Sequence, residues 1–358
     1  MEIRNWKLEI FSVLSIGIVG LPNVGKSTLF KALTKKQVAI SNYPFCTIEP
    51  NRGVVAVPDE RLRQIADMIK PPKVTSAIIE FVDIAGLVKN AHQGQGLGNQ
   101  FLAHIREVDA ILEVVRLFAD VNVSHVEGQI NSERDIETIK MELIMRDCQT
   151  LKKIIEEVKA KAKSGDAKAQ KLSELLERLA NWLNQGNLAK EINEPQNYQD
   201  IFNQLQLLTA KPIIYVFNGS ADVPSKDKIS GPWLQLDLKL EEEISELSGQ
   251  ELKELGLIES ALDRLIKICY DTLDLVTFYT VAGGQEVRAW TIKKNAPIVV
   301  GAGKIHQDFQ EKFIKAEVIN WQSLLNCGSW PQAREKGLIR TEGKDYLLQD
   351  GDVIEIKI

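Results

Sequence analysis

A glycine, four intervening residues and then glycine, lysine and serine occur near the start of this 358-residue chain, at Gly20, Gly25, Lys26 and Ser27. Residues of these types at this spacing can hold a nucleoside triphosphate. Backbone amides of the loop would face the phosphates, the lysine would reach the β- and γ-phosphates, and the serine hydroxyl would bind Mg²⁺. The phosphate-binding residues that this pattern predicts are Asn23, Val24, Gly25, Lys26, Ser27 and Thr28.

The segments on either side of the loop have the character that this chemistry requires. FSVLSIGIV is apolar and β-branched, as in a strand buried in a parallel sheet, and KSTLFKALT has helical character. A loop between such a strand and the N-terminus of a helix is the context in which the pattern binds phosphate. A glycine-rich turn without function is the weaker interpretation.

Two further segments supply candidate ligands for a divalent cation. Thr47 lies in a polar loop that contains prolines, and Asp83 ends the strand-like SAIIEFVD. With Ser27 they form the predicted Mg²⁺ site, because hydroxyl and carboxylate oxygens suit this cation. Gly86 is expected to turn its amide toward the γ-phosphate, so that its loop responds to the nucleotide state.

These segments, with others near the C-terminus, resemble the YchF/Obg-like ATPase family of the translation-factor class of P-loop proteins. The resemblance lies in GLPNVGKSTLFKALT, NYPFCTIEPNRGVVAVPDERL, DIAGLVKNAHQGQGLGNQFLAHIREVDAIL, EVRAWTI, AGKIHQDFQEKFIKAEVI and EGKDYLLQDGDV. It covers nearly the whole chain except its start and the stretch 218–250. It implies a nucleotide-binding domain interrupted by a helical hairpin, a ubiquitin-like TGS domain, Mg²⁺ dependence, preference for ATP over GTP, and association with ribosomes.

The segment expected to read the nucleotide base departs from the related proteins. GTPases of this class usually have Asn-Lys-x-Asp and the resembled family usually has Asn-x-x-Glu, but this chain reads Asn218-Gly219-Ser220-Ala221. Because position 221 is alanine, it has no carboxylate that could accept hydrogen bonds from guanine and so select GTP. Asn218 and Gly219 are predicted to bind the nucleotide, with Asn218 either contacting the base or bracing the phosphate loop. ATP is the expected nucleotide, and GTP is the alternative.

The sequence does not decide which group orients the attacking water. Leu87 follows Gly86 at the position where many GTPases have glutamine. Glu113 stands where the resembled family commonly has histidine, and His92 lies in a glycine-rich loop. Slow intrinsic hydrolysis is therefore expected, and the predicted catalytic residues are Lys26, Gly86, Glu113 and His92.

Glu113 has a second interpretation of equal weight. It is a charged residue within the apolar, strand-like AILEVVRLF, and an unpaired buried carboxylate is costly. An ion pair with Arg116 or Arg106 would make its role structural.

Helical periodicity dominates the middle of the chain. Apolar residues alternate steps of four and three from Ile144 to Ala162, and leucines from Leu172 to Leu183 restore the pattern after the break KSGDAKAQ. This seam predicts an antiparallel coiled-coil hairpin, and it is an insertion because KPIIYVF then returns to the sheet. The lysines at its tip form either a solvated face or a surface for RNA or a ribosomal protein.

The predicted fold class is α/β: a P-loop NTPase parallel sheet with an inserted α-helical coiled-coil hairpin and a C-terminal β-grasp (TGS) domain. The predicted boundaries are 12–128 and 206–274 for the nucleotide-binding domain, 129–205 for the helical insertion and 275–358 for the TGS domain. RNA contact through the TGS and helical domains follows from the resemblance alone.

Composition narrows the functional class. The net charge is −5, and Cys46, Cys148, Cys269 and Cys327 form no C-x-x-C pair. These features favour a protein of the reducing cytosol with neither zinc nor disulfides, and no apolar run predicts a membrane partner. Three functions remain: a slow, ribosome-associated ATPase that alternates between ATP and ADP, a GTPase or dual NTPase, and a nucleotide-gated ribosome-binding scaffold with little hydrolysis.

Overall fold

The computed structural model describes most of the chain. The described residues are 13–36, 49, 51–84, 105–120, 129–163, 166–193, 201, 205–225, 229–245, 251 and 260–358. The predicted site residues Thr47, Gly86 and His92 lie outside them, as does Leu87. None of the described helices combines the length and the apolar composition that crossing a bilayer requires.

Strands and helices occur along the whole described chain. The strands are β1 (Ser15–Val19), β2 (Arg52–Ala56), β3 (Lys73–Thr75), β4 (Ile78–Asp83), β5 (Ala110–Arg116), β6 (Ile213–Asn218), β7 (Trp233–Leu236), β8 (Leu275–Thr280), β9 (Glu286–Lys293), β10 (Lys315–Asn320), β11 (Arg340–Glu342) and β12 (Asp352–Lys357). The α-helices are α1 (Lys26–Lys35), α2 (Glu60–Ile69), α3 (Ser132–Ala162), α4 (Ala167–Asn184), α5 (Leu238–Ile244), α6 (Ala261–Thr272), α7 (Ile298–Ile305), α8 (Gln307–Glu311), α9 (Trp321–Cys327) and α10 (Trp330–Glu335).

The chain divides into two compact units by its internal contacts. One unit contains the described residues of Met1–Leu14, Ala32–Phe81 and Ile244–Ile358, and the other contains those of Ser15–Lys31 and Val82–Glu243. The sequence placed residues 32–81 in the nucleotide-binding domain. They share a compact unit with the C-terminal residues.

Parallel strands form the sheet of the unit that carries the glycine-rich loop. Strands β1, β5, β6 and β7 lie side by side in that order, and each pair is parallel. Val19 at the end of β1 is in register with Glu113 of β5, which is in register with Tyr215 of β6. The strands β1, β5 and β6 are buried along their whole length, as expected of parallel strands covered on both faces.

The helical insertion forms the predicted hairpin. Asn131 caps the start of α3 by accepting a hydrogen bond from the amide of Arg134 at 3.0 Å, and Asp166 caps the start of α4. The predicted apolar residues, apart from Ala162, pack into one core with Ile111 and Val115 of β5. At the base of the hairpin the buried Asp147 carboxylate accepts hydrogen bonds from the amides of Leu208 and Thr209, at 2.9 and 2.8 Å. This contact fixes the return of the chain toward β6.

The C-terminal residues form a β-grasp arrangement. The sheet order is β11-β10-β12-β8-β9-β3, with β12 and β8 parallel at its centre and antiparallel pairs on either side. Helix α7 contributes Ile298, Val300 and Ala302 to the core beneath this sheet. The edge strand β3 comes from residues 73–75, so the sheet is not made by the C-terminal residues alone.

A polar cluster in the same unit joins the start of α2 to the β-grasp sheet. Asp59 caps α2 through the amide of Arg61 at 3.0 Å and accepts a hydrogen bond from the Tyr279 hydroxyl at 2.5 Å. The Arg61 guanidinium lies 2.5 Å from the Asp350 carboxylate, in the turn before β12. With β3, this cluster ties residues 59–75 to the C-terminal sheet.

Candidate nucleotide-binding site

The glycine-rich loop adopts a backbone that its glycines make possible. Gly20 has φ +140° and Gly25 has φ +109°, a region that residues with a side chain rarely adopt. A Cβ on Gly20 would lie 2.4 Å from the carbonyl oxygen of Val114 in β5. The loop therefore passes against β5 so closely that only glycine fits there.

Helix α1 presents a positive end to the same loop. It begins at Lys26 and has no acidic residue in its first turn, so nothing offsets the partial positive charge of its N-terminus. The amides of that first turn have no acceptor within the helix, as at any helix start. The Lys26 ammonium donates a hydrogen bond across the loop to the carbonyl oxygen of Leu21 at 2.5 Å. Amides and ammonium together can bind phosphate oxygens.

Asn218, at the end of β6, braces the loop from behind. Its side-chain amide donates to the carbonyl oxygen of Val24 at 2.9 Å, and its side-chain oxygen accepts from the amide of Leu238 at 3.1 Å. Asn218 is only 6% exposed. These contacts match the bracing role, one of the two that the sequence left open, and a contact of Asn218 with the base stays a prediction.

The backbone after Asn218 cannot accommodate the lysine that GTPases of this class have at the next position. Gly219 has φ +128°, and a Cβ there would lie 2.6 Å from the amide nitrogen of Phe118 and 2.7 Å from the carbonyl carbon of Leu117. Any larger residue would have to displace backbone atoms. The lysine of Asn-Lys-x-Asp is therefore incompatible with this conformation.

Gln235 holds this segment in place, a role that the sequence analysis missed. Its side-chain amide donates to the carbonyl oxygens of Gly219 and Ala221, at 2.9 and 2.8 Å. The only sequence signal was a polar residue within WLQLDL, whose pairing with β6 was not known. Both carbonyls point at Gln235, and position 221 offers no carboxylate for guanine.

The predicted cation ligands are described in part. Asp83 ends β4 and is buried, and Ser27 is the second residue of α1. The third, Thr47, lies outside the described residues. Among the described residues no cluster of three His, Cys, Asp or Glu could hold a metal ion by itself. A cation at Ser27 and Asp83 therefore needs further ligands from elsewhere.

Glu113 lies on the face of β5 that packs against the helical insertion. Its neighbours at alternate positions, Ile111 and Val115, belong to that core, and Glu113 is only 3% exposed. Burial raises the pKa of its carboxyl well above the ordinary value, and the negative charge of Asp135 raises the pKa further. Burial also raises the pKa of Tyr215, its partner in register, to about 12.

The ion-pair interpretation of Glu113 is wrong for the described residues. The Arg116 guanidinium donates to the carbonyl oxygen of Phe118 at 3.0 Å and stacks on its ring, with 4.4 Å to the ring centre. Arg106 donates to the Thr150 hydroxyl. The pKa of the Glu113 carboxyl is raised by burial and by the charge of Asp135, and neither arginine lowers it as an ion-pair partner would. Burial instead favours the protonated form of this carboxyl.

Replacing Glu113 by glutamine should raise stability more at high pH than at low pH. An unfolded glutamate ionises above about pH 4.3, while the folded carboxyl keeps its proton until the pH reaches its raised pKa. Within that window the wild type loses about 1.4 kcal/mol per pH unit relative to Glu113→Gln. The gain in melting temperature at pH 8 should exceed the gain at pH 5.

A control in the helical insertion that packs on this face of β5 separates this effect from loss of charge alone. Glu137→Gln on α3 removes an exposed carboxylate, with its side chain 57% exposed, and should give no such pH-dependent gain. Equal gains for Glu113→Gln at both pH values would contradict the protonated state. Loss of hydrolysis with unchanged nucleotide affinity would instead support the catalytic role predicted for Glu113.

Comparisons with known proteins cover nearly all of the chain. The family model described as "50S ribosome-binding GTPase" matches residues 15–219, and the model YchF-GTPase_C, described as "Protein of unknown function (DUF933)", matches residues 275–358. The chain is 46% identical over 362 residues to a protein of Bacillus subtilis (strain 168) named "Ribosome-binding ATPase YchF", covering 96% of this chain and 99% of that protein. It is 43% identical to the protein of that name from Escherichia coli O157:H7, covering 94% and 97%.

A solved structure agrees with these sequence matches. The chain resembles the structure described as the Schizosaccharomyces pombe YchF GTPase with a TM-score of 0.85 and 34% identity, covering 96% of this chain and 97% of that one. The similarity therefore extends over the fold as well as the motifs.

Proposed function

Since the chain belongs to the YchF family, we propose that it is an Mg²⁺-dependent ATPase that binds ribosomes and alternates between ATP- and ADP-bound states. The observation that carries this proposal is the phosphate loop at the start of α1, with Lys26 across it and Asn218 behind it. The names of the related proteins from Bacillus subtilis and Escherichia coli support both ATP hydrolysis and ribosome binding.

The chain's own residues bind and orient the triphosphate in this proposal. Amides of residues 23–28 and the Lys26 ammonium hold the β- and γ-phosphates and stabilise the negative charge that develops there. Gly86 is assigned the amide contact to the γ-phosphate, and Gly219 is assigned a position beside the base. Either Glu113 or His92 is assigned the orientation of the attacking water.

The residues present fit a bound Mg²⁺. This cation usually takes one or two protein oxygens and completes its coordination with phosphates and water. One hydroxyl at Ser27 and one carboxylate at Asp83, with Thr47 as the third candidate, match that pattern, and no complete protein cage exists among the described residues. When bound, the cation would neutralise charge on the β- and γ-phosphate oxygens.

The base preference follows from what position 221 lacks. A guanine reader needs a buried acceptor for the guanine N–H groups, and Ala221 supplies no side-chain acceptor. ATP is therefore not rejected at this position. GTP remains the second candidate, because the matching family model and the solved neighbour are both described as GTPases.

Titration calorimetry with ATP and with GTP tests this part of the proposal. We expect ATP to bind at least as tightly as GTP in the presence of Mg²⁺. A preference for GTP of more than about tenfold, or ~1.4 kcal/mol, would overturn the ATP assignment.

A phosphate-release assay distinguishes the ATPase hypothesis from the hypothesis of a nucleotide-gated scaffold with little hydrolysis. The scaffold is favoured by Leu87 and by the burial of Glu113, which leave the water-orienting group unidentified. We expect slow release from ATP that ribosomes accelerate. Absence of turnover both with and without ribosomes, in buffers containing Mg²⁺ and K⁺, would establish the scaffold.

A further inference from the structure

The tip of the helical hairpin carries a concentration of positive charge that the rest of the hairpin lacks. We define the tip as residues 159–163 and 166–171, which contain five lysines and one aspartate. The remainder of helices α3 and α4 contains nine acidic and six basic residues. A chain of net charge −5 therefore places a local charge of +4 at one end of one element.

The tip lysines are exposed. Lys159, Lys161, Lys163, Lys168 and Lys171 all lie at the surface. Lys159 lies 2.7 Å from the Glu177 carboxylate of α4, which offsets its charge locally. The single aspartate, Asp166, is engaged in capping α4, where its carboxylate accepts hydrogen bonds from the amides of Lys168 and Ala169.

Helix stability explains only part of this charge. Lys159 and Lys161 lie in the last turn of α3, where positive side chains favour the helix dipole. Lys168 lies in the first turn of α4, which contains no acidic residue. A positive charge at that end opposes the dipole by about 0.3–1 kcal/mol. Its presence there points to a negatively charged partner.

The chemistry of the tip favours a phosphodiester backbone over a protein surface. Between its lysines the tip has alanines, at positions 160, 162, 167 and 169, and no aromatic or large aliphatic residue. Protein interfaces depend on such large side chains at their centres. Base stacking also needs aromatic rings, so the tip lacks the means to read sequence. Lysines that neutralise phosphates need neither.

We propose that the tip of the hairpin binds the phosphate backbone of ribosomal RNA without reading its sequence. This inference rests on the proposed association with ribosomes and assigns one of its contact surfaces. The contact is electrostatic, so it weakens steeply as salt concentration rises. The tip contains none of the residues assigned to the phosphate loop or to hydrolysis, so the proposal gives it no part in hydrolysis.

The test compares two double variants within the same hairpin. Lys163→Gln/Lys168→Gln removes two tip charges, and Lys152→Gln/Lys153→Gln removes two exposed charges from the body of α3. Ribosome binding by the full-length protein is measured by sedimentation across a series of salt concentrations. The tip variant should bind about tenfold or more weakly at 0.1 M salt, and its log–log salt dependence should be shallower by about 1.4–1.8. The control should bind like the wild type.

A second arm uses ribosomal RNA freed of protein. The tip variant should lose affinity for this RNA as it does for ribosomes. Equal behaviour of the two double variants would overturn the proposal. So would a loss seen with ribosomes but not with protein-free RNA, because that result identifies a ribosomal protein as the partner.

Measurements of hydrolysis, melting temperature and ribosome binding distinguish a wrong tip assignment from a wrong proposed function. Hydrolysis of ATP by the tip variant without ribosomes should equal that of the wild type, and its melting temperature should be unchanged. If the wild type does not sediment with ribosomes, the proposed association fails. In that case only the measurements with protein-free RNA test the tip assignment. A larger loss of RNA affinity in the tip variant than in the control variant supports the assignment, and equal affinities of the two variants overturn it.

Discussion

Lys26→Ala is expected to weaken ATP binding by about 100-fold and to abolish measurable hydrolysis. The Lys26 ammonium lies across the phosphate loop and is assigned to the β- and γ-phosphates. Each hydrogen bond to a charged group contributes about 1.5–3 kcal/mol, so its loss corresponds to about 10- to 100-fold in affinity. Charge that develops on the γ-phosphate during hydrolysis would also lose its stabilisation.

Titration calorimetry and phosphate release measure the two effects of Lys26→Ala. Lys31→Ala is the matched control, because it removes an equal charge from an exposed position of the same helix. The control should retain both affinity and turnover. Undiminished affinity of Lys26→Ala for ATP and GTP alike would place the phosphate site elsewhere in the chain.

Gly25→Ala is expected to lower the free energy of unfolding by about 3–5 kcal/mol and to weaken nucleotide binding. A Cβ at this position would lie 2.5 Å from the side-chain nitrogen of Asn218 and 3.0 Å from a methyl carbon of Leu238. Moving Asn218 would break its hydrogen bonds to Val24 and Leu238, and each buried group left unpaired costs about 1–3 kcal/mol. The backbone strain at φ +109° adds about 1–3 kcal/mol.

The control variant Gly186→Ala separates the cost of backbone strain from the cost of the steric clash with Asn218. Gly186 also has a positive φ, of +84°, but a Cβ there would meet no atom within 4 Å. Chemical denaturation should therefore show a loss for Gly186→Ala of only about 1–2 kcal/mol. If Gly25→Ala cost no more than this control, the close approach of Asn218 would not matter for stability.

A double variant tests whether Asn218 is the group that Gly25→Ala displaces. In Asn218→Ala the colliding side chain and both of its hydrogen bonds are already absent. Adding Gly25→Ala should then cost mainly the backbone strain, so the two losses should sum to more than the loss in the double variant. Additive losses would show that the two residues act independently.

The phosphate loop and the helical seam could be predicted because both depend on local sequence. The loop requires glycines and a lysine at fixed spacing between a strand and a helix, and all of these are adjacent in the chain. The hairpin requires apolar residues at helical spacing, and the residues from Ile144 to Val158 that formed the predicted seam pack into the core. Local periodicity and turn chemistry determine such elements before any long-range contact forms.

The role of Asn218 and the behaviour of Glu113 could not be predicted in the same way. The sequence offered two roles for Asn218 and two for Glu113, because each depends on partners far away along the chain. The bracing contact of Asn218 is with Val24, 194 residues earlier. For Glu113, the pairing of β5 with β1 and β6 and the position of Asp135 decide that it is buried without an arginine partner.

The sequence by itself determined the chemistry of the loop, the helical insertion and the order of the elements, since spacing along the chain is enough to specify them. Only the tertiary structure decided that β3 joins the C-terminal sheet, that Gln235 holds the segment after Asn218, and that Gly219 admits no side chain. Each of these depends on strand register and on the distance between backbones. Those quantities arise when remote segments pack together, so no local pattern specifies them.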